Sequence, residues 1–175
     1  DADTTQRYIG RMQNTDDPGH SEGGGFFYGP GKSGAGKTTN VVGEVVFRSY
    51  GSMTYAGLLA LIYADVPRTD PRAKSAFDWA ARHWTLEENP NLGHQGMYFF
   101  YYVLAKALDA YGVNPVTRPN ADPVDWKTEL AEKLLSLQAE DDTGQFKYWV
   151  NENGRYWENN PVLVSAYAIL ALQRL

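Results

Sequence analysis

Cysteine is absent from the 175 residues, which removes a disulfide framework, a thiolate nucleophile and any zinc site built on cysteine. The redox compartment is left open by the same absence. No uninterrupted apolar run approaches the roughly 20 residues that a membrane-crossing helix needs, and no basic, apolar, small-residue leader stands at the amino end. A basic excess is missing too. Sixteen Lys and Arg against 21 Asp and Glu give a net charge of −5, so nucleic acid is not an expected partner. Charged residues make up 21% and hydrophobic residues 43%, a balance that excludes general disorder. What the chain has in plenty is aromatic: 12 Tyr, 7 Phe and 5 Trp, more than a core of this size needs.

Hydrophobic spacing predicts two kinds of helix. From about 124 to 138, Trp126, Leu130, Leu134 and Leu137 recur one turn apart with charges between them, the pattern of a surface-lying amphipathic helix. Ala73, Phe77, Ala80 and Trp84 repeat that design over 72–84, and Tyr8, Ile9 and Met12 carry a shorter version. The segments starting near Met53, Gly96 and Pro161 are apolar almost all the way round, which predicts helices buried on every side. Pro161 suits a first helical turn, with Asn159 or Asn160 before it as a cap. The two kinds alternate with a period near 50 residues, the signature of stacked helical hairpins. Alternating outer and inner helices predict an all-α, double-walled α/α barrel. Strand is expected only in short hairpins, chiefly over Phe146 to Trp157 about an Asn153-Gly154 turn.

Leu137-Gln138 followed by Gly144-Gln145-Phe146 resembles the Gln…Gly-x-aromatic repeat of squalene cyclases and protein prenyltransferases, and Met12-Gln13 with Gly25-Phe26 looks like a stretched copy. The runs from Arg48 to Gly57, from Thr85 to Pro90, and Tyr156-Trp157-Glu158 with Pro161 resemble bacterial prenyltransferase/squalene-oxidase-repeat proteins over nearly the whole chain. That resemblance implies an α/α toroid of the terpenoid cyclase superfamily, of which 1–175 would supply about half, the C-terminal one. A half ring would expose a large apolar surface. The implied partners are therefore a missing N-terminal half, a second chain, or a second copy that closes the ring. The implied ligand is apolar and terpenoid-like; no cofactor and no metal are expected.

Several motifs compete with this reading. Gly31-Lys32-Ser33-Gly34-Ala35-Gly36-Lys37-Thr38 satisfies the phosphate-loop pattern, yet Gly23 to Pro30 before it is too rich in glycine for the buried strand that must feed such a loop. A flexible connection is expected instead. The catalytic Asp-x-Asp-Asp of class II cyclases is absent; Ala139-Glu140-Asp141-Asp142-Thr143 comes nearest and reads as a solvated turn. His20, His83 and His94 lie on separate segments, and the pairs Asp16-Asp17 and Asp141-Asp142 lack the ligand spacing of a calcium loop. Aromatic residues cluster near the starts of the three apolar helices, where the implied toroid has its cavity. Tyr55, Tyr98, Trp157 and Glu158 are the expected ligand-binding residues, placed on one concave surface. Two enzymatic alternatives remain: the C-terminal part of a squalene- or hopene-type cyclase, and a carbohydrate-active enzyme pairing Glu158 with Glu44 or Glu152.

Overall fold

The computed structural model describes residues 2–14, 21–40 and 42–175; His20 and the Asp16-Asp17 pair lie outside them. Among the described residues there are six α-helices: α1 (Ala2–Gly10), α2 (Gly51–Tyr63), α3 (Pro71–Arg82), α4 (Met97–Tyr111), α5 (Trp126–Ser136) and α6 (Pro161–Leu172). Three two-stranded antiparallel sheets stand between them. These pair β1 (Lys37–Thr39) with β2 (Val45–Phe47), β3 (Val116–Arg118) with β4 (Ala121–Val124), and β5 (Ala139–Glu140) with β6 (Lys147–Tyr148).

Local chemistry sets the ends of the outer helices and of α6. Asp70 accepts the Arg72 N–H ahead of Pro71 to start α3, Asp125 accepts the Thr128 N–H to start α5, and Asn160 accepts the Val162 N–H ahead of Pro161 to start α6. Gly112, with φ of 66°, closes α4 by donating to the carbonyls of Leu108 and Asp109, a left-handed cap that glycine adopts at no steric cost.

Helix α4 is the centre of the molecule. It packs between α2 and α6, and nine of its fifteen residues are buried, so its apolar sequence is satisfied on nearly all sides. Trp126, Leu130 and Leu134 of α5 join the same core with no exposed surface. Each buried side chain of this size contributes about 1.5–3 kcal/mol on leaving water. Polar tips are satisfied as well: the Trp126 indole donates to the Val113 carbonyl at 2.6 Å, the Trp149 indole to Leu134 at 2.7 Å, and the Tyr101 hydroxyl to Leu86 at 2.7 Å. A second cluster joins Ile9, Phe26, Leu58, Leu61, Val66, Ala73 and Ala76 between α1, α2 and α3. Phe26 lies so close to α2 that a Cβ on Gly57 would overlap its ring.

The expected all-α, half-toroid architecture is not what the chain forms: the molecule is a mixed α and β domain. Part of the reason lies in the joins. Glycine- and asparagine-rich connections expected as loops contain short β-branched runs, Lys37-Thr38-Thr39 and Val45-Val46-Phe47, which pair across a turn held by Asn40, whose side-chain oxygen accepts the N–H groups of Val42 and Glu44. The expected hairpin over Phe146 to Trp157 forms one unit earlier, because the Asp141 carboxylate accepts the N–H groups of Gln145 and Phe146 and fixes the turn there. Helix α6 is also not buried on every side: Val164, Ala168 and Ala171 are covered, whereas Val162 is 79% and Ile169 50% exposed. No described helix is long and apolar enough to cross a membrane.

Candidate functional site

Neither α2 nor α4 caps itself. Tyr50 and Gly96, the residues preceding them, make no capping side-chain bond, so their first N–H groups need acceptors from elsewhere. For α2 the acceptors come from the loop after α3. The Asn89 carbonyl oxygen takes the Ser52 N–H at 2.8 Å, its amide donates to the Ser52 hydroxyl and to the Gln95 carbonyl, and the Pro90 carbonyl takes the Gly51 N–H. For α4 they come from the loop after β6, where one Glu158 oxygen takes the N–H groups of Tyr98 at 3.0 Å and Phe99 at 2.9 Å. The other Glu158 oxygen accepts from the Asn151 amide at 2.8 Å. Burial pushes the Glu158 carboxyl above its ordinary pKa, against the lowering pull of Asn151 and of these N–H groups.

These helix starts border a cavity of about 720 Å³, within the range of small-molecule sites. Six rings line it: Tyr28, Phe47, Tyr50, Phe99, Tyr156 and Tyr167. Burial, reinforced by the neighbouring phenols of Tyr156 and Tyr28, pushes the Tyr50 hydroxyl far above the usual tyrosine range, so it stays a neutral donor. The far wall is the glycine loop, from Gly31 to Lys37. It is anchored where the Ser33 hydroxyl donates to the Arg48 carbonyl at 2.6 Å and the Arg48 N–H donates to Gly36 at 3.0 Å. Gly34 crosses directly above the phenols; a Cβ there would be 3.4 Å from the Tyr156 hydroxyl and 3.6 Å from the Tyr50 ring. Tyr156 and Trp157 hold positive φ of 62° and 65°, which costs roughly 1–2 kcal/mol per residue. This unusual backbone turns Tyr156 to the cavity just before Glu158 reaches α4.

Of the four residues expected to share a surface, Glu158 alone lines the cavity. Tyr55 is buried in the core with its ring 5.9 Å from Phe100, and Tyr98 packs edge-on to Tyr101 at 5.7 Å. Trp157 is 77% exposed. Glu44 bonds Asn40 at the tip of the first hairpin and Glu152 is exposed; neither lines the cavity. His83 stacks on Trp79 at 4.0 Å, where burial pushes its pKa down, and His94 is exposed. The described residues contain no cluster of three metal-ligating side chains. The phosphate-loop pattern leads into strand β1 and not, as a triphosphate cradle requires, directly into the N-terminus of a helix.

Tyr28, Phe47 and Tyr167, and the capping role of Asn89, escaped sequence reasoning. The available signals were the aromatics flanking the glycine-rich stretch and an Asn-Pro pair ahead of an apolar helix that lacks a cap of its own. No protein-family model matches the chain, and neither does any curated protein or solved structure.

Proposed function

We propose that the chain is a binding domain of the squalene-cyclase-like repeat kind, whose aromatic cavity takes an apolar, terpenoid-like ligand. The observation that carries this reading is the cavity lining: six rings and one carboxylate around about 720 Å³. An apolar ligand gains about 25 cal/mol for each Å² of apolar surface it buries against these rings. Binding fits the lining better than hydrolysis of a sugar. Paired carboxylates are needed for that chemistry, and the one present, Glu158, has one oxygen engaged in holding α4 and the other in accepting from the Asn151 amide. A cyclase would need its proton donor from outside this lining, since the chain contains no Asp-x-Asp-Asp run.

Titration calorimetry with farnesol, a neutral isoprenoid alcohol, tests the site. Saturable binding is expected, weakened at least tenfold in Gly34→Leu, whose side chain would grow into the space beside Tyr156, Leu92 and Tyr50. The reading fails if farnesol does not bind, or if it binds Gly34→Leu equally well.

A further inference from the structure

The charges around the cavity have one sign to spare. Lys32 and Lys37 both line it, and neither forms an ion pair with any described residue, whereas Arg48, Arg72, Lys133 and Lys147 each have a carboxylate partner. Lys37 is carried over the ring of Phe47, a cavity wall, with its nitrogen 5.1 Å from the ring centre. The lone acid of the lining does not answer them, because Glu158 is turned to the positive end of α4 and to Asn151. The glycine loop adds donors of its own. The N–H groups of Lys32, Ala35 and Gly36 are bonded within the loop, but those of Ser33 and Gly34 have no acceptor among the described residues. A local excess of cations in a chain of net charge −5 does not follow from composition.

We infer that the occupant is an amphiphile whose anionic head, a carboxylate or a phosphate, sits against Lys32, Lys37 and the glycine loop while its apolar chain lies among the rings. This rests on the cavity reading above and adds the head group to it. Two ammonium groups in the lining attract an anion, and the field they set up opposes a cationic head on the same chain. The hydroxyl of Tyr50, held neutral, can donate to either kind of anion.

Four ligands with one chain length separate the possibilities by calorimetry at low salt and below their micellar concentrations: dodecyl phosphate, dodecanoate, dodecan-1-ol and dodecyltrimethylammonium. Both anions are expected to bind at least tenfold more tightly than the alcohol, and the cation more weakly than the alcohol. In the Lys32→Gln/Lys37→Gln double variant, checked for an unchanged melting temperature, the advantage of the anions is expected to fall below threefold. Raising salt to 0.5 M should erode it in the parent protein. An advantage confined to phosphate, or to carboxylate, identifies which head is meant. Equal binding of anions and alcohol, or an anion advantage that survives the double substitution, overturns the head-group assignment and leaves the apolar cavity standing. If neither alcohol nor anion binds, the cavity reading itself fails.

Discussion

Glu158 and Asn89 do the same work at two helix starts, and neither assignment could be made from local sequence. Glu158 stood out as a carboxylate just ahead of α6, but its partners are the N–H groups of α4, about sixty residues earlier in the chain. Asn89→Ala should leave the Ser52 N–H without its side-chain acceptor and the Ser52 hydroxyl without its donor. A loss of about 1–3 kcal/mol is expected, read as a lower urea midpoint at constant m-value. Glu158 makes a pH prediction. Its folded pKa is raised, so between the unfolded value of about 4.3 and the folded value the native state holds more protons than the unfolded chain. Stability from this group is therefore greatest below that window, falls as pH rises through it, and stays level above. The difference in unfolding free energy between the parent and Glu158→Gln, followed from pH 4 to 7, should show this fall. A flat difference would remove the raised pKa.

Elements were legible in proportion to their length. The helices α2 to α6 lie where apolar spacing puts them, because a buried stripe of ten or more residues leaves a periodic trace, whereas the short α1 ends before Met12, which was expected to belong to it. Strands of two to four residues leave none, and the three hairpins rest on turn chemistry at Asn40 and Asp141 that spacing does not reveal. The buried stripe of α3 was legible in part: Ala73 and Ala80 are buried as expected, Ala76 and Trp79 join them, and Phe77 lies at the edge, stacked on Tyr111 at 4.7 Å. The aromatic of the second Gln…Gly-x-aromatic unit, Phe146, is 69% exposed, and it is Trp149 whose N–H meets the Ser165 hydroxyl of α6. Phe26 meets the Thr54 hydroxyl of α2 in the same manner. Gly57→Ala should force the Phe26 ring away at a cost of about 1–3 kcal/mol, with faster amide exchange at Phe26 as its local signature. Unchanged protection there would mean that α2 and Phe26 are not in contact. On α6 the opposite outcome is expected: Val162→Lys with Ile169→Lys should shift stability by no more than about 0.5 kcal/mol per site, since both side chains already face outward. A larger loss in chemical denaturation would show that this face is covered.

At the scale of the whole molecule, the order of the longer helices along the chain was readable and their architecture was not. Periodicity reports which faces are buried, but it carries no information on what fills the joins between helices, and there the sheets and the cavity wall are made. The aromatic excess did point to a cavity, while the rings chosen from helix starts, Tyr55 and Tyr98, went to the core. Ties between distant segments also predict cooperative behaviour. Since α4 contacts both α2 and α6 and is capped from the loop between β6 and α6, far-ultraviolet dichroism and tryptophan fluorescence should trace one coincident unfolding transition. Two separated transitions would divide the molecule at α4.

Those borrowed caps also impose an order in time. As the chain is synthesised, α2 must wait for Asn89, 37 residues after Ser52, and α4 must wait for Glu158, 60 residues after Tyr98. At about 5–20 residues per second the second delay is about 3–12 s, far longer than a helix needs to form. Throughout that interval water takes the place of the carboxylate at the first turn of the central helix, and a nascent chain released before Glu158 is added lacks the group that caps it.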